Sequence, residues 1–281
     1  MTGPHEQDSG DRREFVREMG GVAMALLHRR LRERDFGPDG LGGLEDPLSP
    51  EAVHLQMCRW TFLVAFLCGP ERMAADPDDP DWRFIIERLR HEFLASPAPA
   101  DQDRFERQTA AFLEPRLLAS ALGRDPIPTK RTHGCFRWVW NDQRQGVYLH
   151  FHNTVKPKSP FEDLAARRAE LRELAAEVES AGLCPGIVAC ASWINGLAAF
   201  RSLFPKSYAA SLCPEGPYPT SCGWWGQLVT HTGAVNRRRA ERIRREGRFE
   251  HVRRIGCCGW KEFKRALRSP KGRSEERNMP L

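Results

Sequence analysis

Two histidines separated by one residue lie on a predicted strand, within the segment GVYLHFHNTVKPKSPFE at residues 146–162. Side chains alternate between the two faces of a strand, so three polar residues are expected to share one face: Tyr148, His150 and His152. The apolar residues between them are expected on the other face: Val147, Leu149 and Phe151. Since imidazole titrates near neutral pH, either histidine is a candidate general base.

The same pair could instead bind a metal ion, because neutral imidazoles are ligands for zinc, iron and copper. A third ligand would be needed, and four residues could supply it: His133, Cys135, Glu162 and His231. None has a diagnostic spacing, and residues 153–159 contain no carboxylate. Catalysis, metal binding and a structural role for the histidines therefore all stay open, and no metal site is predicted.

A thiol and a hydroxyl follow on a second predicted strand, GIVACASWI. Cys190 and Ser192 lie near its end, where α/β proteins commonly place active-site groups. Both are candidate catalytic residues, Ser192 also as a donor to a developing oxyanion, provided that a histidine lies within reach. The GxSxG motif of a nucleophile elbow does not occur.

Aromatic and amide residues are candidates for substrate binding, because ligand pockets favour aromatic walls. The set comprises Tyr148, Trp193, Trp224, Trp225 and Gln227. The alternative for the tryptophans is burial in a hydrophobic core.

Seven arginines fall between residues 237 and 248, in a predicted helix. Guanidinium groups suit phosphates, so Arg238, Arg242 and Arg245 are candidates to bind a nucleotide or tRNA donor. Two alternatives stay open: a solvated helix face neutralised by neighbouring glutamates, and an RNA-binding or partner-binding module without enzymatic activity.

Helical periodicity dominates residues 11–124, which we interpret as a helical N-terminal domain. Two apolar stripes have i, i+3, i+4 spacing: Phe15, Val16, Met19, Val22, Ala23, Leu26 and Leu27, and then Trp82, Ile85, Ile86, Leu89 and Phe93. Ser49 and Pro50 predict the start of another helix. A helix from about residue 101 contains Pro115, which is expected to kink or divide it.

Residues 125–128, DPIP, mark a predicted boundary, after which a second domain with a mixed sheet is expected over 133–265. A hairpin is predicted from CFRWVW and GVYLHFH, followed by a helix with a capping box at Ser159 and Glu162. A long loop over 205–223 and a last strand over 224–229 are also expected. The polar tail at 269–281 is expected to be disordered. The predicted class is α+β.

Composition limits the function further. The 281 residues carry a net charge of +6, and nine cysteines without a secretory signal favour reduced thiols and a cytoplasmic location. The longest apolar run, residues 60–68, is too short for a membrane span. Neither a P-loop nor a Rossmann glycine fingerprint is present, which argues against nucleotide-driven chemistry and hydride transfer.

The order of these features resembles the bacterial two-domain acyltransferases of the GNAT-like type. Cys190, Ser192, Trp193 and Pro205 match that pattern, with His150 or His152 at the position of its strand histidine, so the resemblance covers about 135–205. It implies an acyl or aminoacyl transferase with a histidine base, a small amine or hydroxyl acceptor, and acyl-CoA or aminoacyl-tRNA as donor. The pyrophosphate loop of that family has no counterpart here, because Gly256 and Gly259 have a different spacing.

Overall fold

A computed structural model describes residues 4–34, 36–40, 43–68, 79–122, 131–214 and 216–268. The helices are α1 (Pro4–Glu33), α2 (Pro50–Trp60), α3 (Leu63–Cys68), α4 (Pro80–Ala95), α5 (Gln102–Leu122), α6 (Leu164–Ser180), α7 (Ala198–Arg201), α8 (Lys206–Ala210), α9 (Cys222–Trp225), α10 (Arg237–Glu246) and α11 (Trp260–Arg268). The strands are β1 (Thr132–His133), β2 (Phe136–Asn141), β3 (Gly146–Phe151), β4 (Ile187–Ser192), β5 (Cys213–Pro214) and β6 (Arg254–Gly259). Within these ranges, no helix is both long and apolar enough to cross a bilayer.

The chain divides into two compact units, each assembled from separate segments. The first unit takes Met1–Pro126, Gly216–Thr230 and Ala234–His251, and the second takes Ile127–Glu215, His231–Gly233 and Val252–Leu281. The sequence interpretation placed residues 216–230 and 234–251 in the second domain. They belong to the first unit because their apolar side chains lie in its core.

The first unit is a helical assembly in which α1 packs most extensively against α5. The predicted stripe on α1 is confirmed, since Val22 and Leu27 are fully buried, and the α4 stripe is buried as well. Ser49 caps α2 by accepting a hydrogen bond from the amide of Ala52 at 3.1 Å. Helix α5 runs through Pro115 without being divided, so of the two predicted effects, a kink or a division, the division does not occur.

The predicted strand at residues 224–229 is wrong, because these residues form α9 and a 3-10 helix, Gly226–Leu228. Both Trp224 and Trp225 are buried in the helical core. Adjacent residues of a strand point to opposite faces, whereas a helical turn allows two neighbouring indoles to enter one core.

The second unit contains a mixed six-stranded sheet in the order β1-β2-β3-β4-β6-β5. The pair β3 and β4 is parallel, and the other neighbouring pairs are antiparallel. The predicted hairpin is confirmed as β2 and β3, and the predicted apolar strand as β4. The α+β class and the mixed sheet are therefore observed. Strand β6, which was not predicted, carries Cys257 and Cys258 through the sheet.

Helix α6 connects β3 to β4 and packs its apolar side on the sheet core. Asp163 caps it by accepting from the amide of Ala166 at 2.8 Å, so the helix begins later than the predicted capping box. Within that box, Glu162 accepts a hydrogen bond from the amide of Ser159 at 3.2 Å and closes a turn ahead of the helix. The predicted long loop contains α8 and β5. The tail at 269–281 lies outside the described residues.

Fully buried Asn195 organises the carboxyl end of β4. Its amide nitrogen donates to the carbonyl oxygens of Cys190 at 2.9 Å and Arg254 at 2.7 Å, and its amide oxygen accepts from the Tyr208 hydroxyl at 2.7 Å. Gly256 leaves room for the Tyr208 ring, since a Cβ at this position would lie 2.7 Å from it. These contacts fix β4 and β6 relative to each other.

Candidate functional site

The candidate site lies on one face of the β2 and β3 hairpin, called here the histidine face: Arg137, Tyr148, His150 and His152. Arg137 pairs directly with His150 in the antiparallel register, and Val139 pairs with Tyr148. The opposite face holds Val147 and Leu149, which are buried in the core. The alternation predicted from the sequence is therefore confirmed.

The histidine side chains differ from the core in exposure. His150 is exposed, and Tyr148 and His152 are half-buried. No hydrogen bond or ion pair engages the side chains of the histidine face anywhere in the part of the chain that the structure describes. They are therefore available to a ligand.

The pKa values of both histidines lie below the ordinary value for imidazole. For His150 the main cause is desolvation by the surrounding protein, followed by the positive charge of Arg137 and smaller effects of His152 and Arg253. For His152 desolvation again comes first, and Arg137 second. The His150 side chain is thus in contact with solvent, while the surrounding protein removes part of the water around its ring. Both imidazoles are neutral at neutral pH, and each has a nitrogen lone pair that can accept a proton.

The turn after β3 holds His152 in place. The backbone amide of His152 donates to the carbonyl of Cys135 at 3.0 Å. Asn153 then donates to the carbonyl oxygens of Lys158 at 3.0 Å and His231 at 3.1 Å, and accepts from the amide of Val155. Sequence reasoning missed Asn153, although an asparagine ahead of a Pro-containing turn is a known signal for such side-chain turns.

Strand β4 places the predicted thiol away from the histidines. Cys190 pairs with Leu149 and is buried on the core face, opposite to His150. Ser192 lies two residues further along β4, so it belongs to the same face of the strand as Cys190. Its hydroxyl caps a 3-10 helix by accepting from the amide of Ile194 at 3.4 Å. The structure does not bring either residue together with a histidine on one face.

The candidate substrate-binding residues fall in both units. Trp193 opens a 3-10 helix at the carboxyl end of β4 in the second unit, half-buried against its core. Trp224 and Trp225 belong to the first unit, where Trp225 contacts Phe62 with ring centroids 4.9 Å apart. Trp225 also lines an apolar cleft of about 250 Å³ in that unit.

Gln227 is buried in the first unit and crosslinks two segments of it. Its amide nitrogen donates to the carbonyl oxygens of Trp224 and His251, each at 2.9 Å, and its oxygen accepts from the amide of His251 at 2.9 Å. These three bonds use most of the hydrogen-bonding capacity of the amide. Gln227 therefore has a structural role there.

The three arginines proposed for phosphate binding lie on α10, and each contacts a glutamate. Arg238 donates to Glu250 at 2.9 Å, while Arg242 and Arg245 donate to Glu246 at 3.0 Å and 2.7 Å. A phosphate would have to compete with these carboxylates. The alternative of a helix face neutralised by glutamates describes α10 better.

Three of the four residues considered as third metal ligands have other partners. His133 contacts Glu177 at 2.7 Å, and the thiol of Cys135 lies 3.4 Å from the hydroxyl of Thr154. Glu162 closes the turn before α6. Among the residues that the structure describes, no group of three or more histidines, cysteines or carboxylates could hold a metal ion.

Arg137 is the site residue that the sequence interpretation missed. The sequence analysis includes it only as part of the predicted hairpin strand CFRWVW. The register that places it beside His150 depends on the four-residue turn 142–145, in which Asn141 accepts from the amide of Arg144 at 2.8 Å. Alternation alone does not fix this register.

Comparison of the chain with models of known protein families, with curated proteins and with solved structures found no match. The assignment of a function therefore depends on the geometry of the chain itself.

Proposed function

We propose that the protein is a GNAT-like acyl or aminoacyl transferase whose general base is His150 or His152. The observation that carries this proposal is that His150 on β3 and His152 directly after it have side chains without hydrogen-bond partners in the described residues, while desolvation lowers the pKa of each. A neutral imidazole can take the proton from an amine or hydroxyl as that group attacks an acyl carbonyl.

The position of the pair within the sheet supports a role in ligand binding. Strands β3 and β4 are parallel and are joined by α6, so their carboxyl ends lie at the same edge of the sheet. Ligands in α/β proteins bind preferentially outside the carboxyl ends of strands. His152 follows β3 and Trp193 follows β4 at this edge, so Trp193 is the tryptophan we retain as a substrate-binding residue.

The mixed sheet is also what the resemblance to GNAT-like acyltransferases implies. Acyl-CoA and aminoacyl-tRNA are the two donor classes that we propose, with a small amine or hydroxyl as acceptor. Ser192 and Cys190 are no longer assigned catalytic roles, because their side chains cap a helix turn and enter the core. The oxyanion would instead need a backbone N–H at the same sheet edge.

Transfer activity is tested with purified protein, a panel of acyl-CoA donors and a panel of amines, by following release of the CoA thiol. A parallel reaction uses tRNA charged with a radiolabelled amino acid and follows transfer of the label. We expect turnover with one donor class. If neither donor is consumed above the rate without protein, the proposed function is wrong.

The base is tested in His150→Gln and His152→Gln. Loss of the general base is expected to lower kcat by about 10²–10⁴-fold in one of the two variants. His91→Gln is the matched control, because His91 is an exposed histidine of α4 in the first unit. If both site variants keep the wild-type kcat, neither histidine is the base.

A further inference from the structure

Arg137 has an unusual environment for an arginine of the second unit. It is half-buried and faces His150 across the hairpin. Other arginines of this unit have partners: Arg167 donates to Glu170 at 2.5 Å, and Arg201 donates to the carbonyl of Asn195 at 3.0 Å. The guanidinium of Arg137 forms no hydrogen bond or ion pair with any residue for which the structure gives a position.

None of the guanidinium nitrogens of Arg137 is fully buried, so water reaches its N–H donors, and a bound anion would replace that water with charge-assisted hydrogen bonds. The charged side chains that act on the two histidines are positive. Arg137 and Arg253 both lower the pKa of His150, and Arg137 lowers that of His152. Arg137 is therefore a positive charge beside two neutral imidazoles, without a carboxylate partner among the described residues.

Guanidinium is suited to planar, two-point recognition of a carboxylate or a phosphate. The neighbouring imidazoles and the hydroxyl of Tyr148 can each donate one further hydrogen bond to such a group. A single group of opposite charge would thus satisfy Arg137 and neutralise the face. Neutral acceptors would leave the guanidinium unpaired.

We propose that the histidine face binds an oxyanion, a carboxylate or a phosphate, through Arg137, and that the acceptor substrate of the enzyme carries this group. Arg137 then positions an anionic amine or alcohol so that its nucleophile faces the histidine base. Only the acceptor role depends on the proposed function. Binding of the oxyanion does not require transferase activity.

Oxyanion binding is measured by NMR titration of the full-length protein with inorganic phosphate and, separately, with acetate. The probes are the Cε1–H resonances of His150 and His152, assigned with the two glutamine variants. Sodium chloride at equal ionic strength corrects for screening. Bound anion is expected to shift both resonances and to raise both histidine pKa values, since negative charge beside an imidazole stabilises its protonated form.

Arg137→Gln is expected to weaken binding by about tenfold or more, because it removes a charge-assisted hydrogen bond. Arg137→Lys keeps the charge but loses the two-point geometry, so an intermediate affinity is expected. The matched control is Arg144→Gln, at the exposed turn of the same hairpin, which should bind as the wild type does. The wild-type titration is decisive even if a variant fails to fold.

The separate titrations with phosphate and acetate identify the chemical class of the anion that binds. A response to phosphate alone indicates a phosphorylated acceptor, and a response to acetate alone or to both indicates that carboxylates are accepted. If neither anion exceeds the chloride control, or if Arg137→Gln binds as tightly as the wild type, the inference is wrong. Anion binding without any transfer activity would support the oxyanion site and contradict the proposed transferase. Turnover of uncharged acceptors without anion binding would support the transferase and contradict the oxyanion site.

Discussion

The arginines of α10 and Arg137 on the histidine face carry the same guanidinium group but differ in what surrounds it. On α10 the glutamates of the first unit contact the arginines, and Arg244 is held between Glu18 at 2.9 Å and Glu106 at 2.6 Å. On the histidine face, no carboxylate of the described residues contacts Arg137. The first arrangement stabilises the fold, whereas the second leaves binding capacity for a ligand. Pairing therefore distinguishes the two regions better than the number of arginines does.

The largest effect that tests this comparison is expected at Arg244. Burial alone would lower its pKa, but hydrogen bonds and the charges of Glu106 and Glu18 raise it overall. Arg244→Met would leave Glu106 without its partner in a mostly buried position and should lower the free energy of unfolding by about 3 kcal/mol. Urea denaturation measures this, and the exposed Arg238→Ala should show no resolvable change. Equal stability of Arg244→Met and wild type would contradict a structural role for α10.

A slightly smaller loss is expected at Asn195, a polar residue of the second unit with its hydrogen bonds fully formed. Asn195→Ala removes the donor to Cys190 and Arg254 and the acceptor for Tyr208. The free energy of unfolding should fall by about 2 kcal/mol, because the buried tyrosine hydroxyl loses its partner. Thermal unfolding followed by circular dichroism measures the change. Tyr208→Phe should be milder, and an unchanged melting temperature in Asn195→Ala would show that the network is dispensable.

The parts of the fold that depend on local spacing could be predicted from the sequence, whereas contacts between distant residues could not. The amphipathic stripes of α1 and α4 and the alternation in β3 follow from local spacing, and these predictions were confirmed. The pairing of Arg244 joins residues more than 100 positions apart, so no local pattern reveals it. For the same reason Trp224 and Trp225 were misassigned to a strand, since burial in a distant helical core determined their conformation. The histidines could be found from the sequence, but Arg137 required the register of the hairpin.

Histidines offer a third comparison, in which the effect depends on pH. His28 of the first unit is fully buried, packs against Phe93 and Phe105, and contacts the carbonyl of Ser96 through Nε2 at 2.8 Å. Its pKa is lowered, chiefly by desolvation, despite the opposing hydrogen bond to Ser96. The unfolded chain therefore takes up a proton first, so stability should fall as the pH decreases below 6.5, the ordinary value.

Chemical denaturation between pH 7.5 and about 5 measures this dependence against His28→Gln, which cannot be protonated and should show a shallower decline. Residual dependence is expected in the variant, because the pKa of His251 in the same unit is also lowered. Identical slopes for wild type and variant would mean that His28 does not contribute to acid sensitivity.

The smallest effect on stability is expected at Arg137 itself. Because it has no partner among the described residues, Arg137→Gln should change the free energy of unfolding by less than about 0.5 kcal/mol. The same variant is expected to lose oxyanion binding, so stability and binding separate at this residue. A large destabilisation in urea would show that Arg137 belongs with the structural arginines of α10.

The interrupted arrangement of the two units has a consequence for how the protein is made. Helices α1 to α5 are synthesised before part of their own core, because that core also requires Leu228, Ala240 and Ile243, which follow more than 100 residues later. The second unit in turn waits for β6 and α11. Neither unit can complete its core before these later segments are synthesised, so protease resistance of the nascent chain should appear only after α10 for the first unit and after α11 for the second.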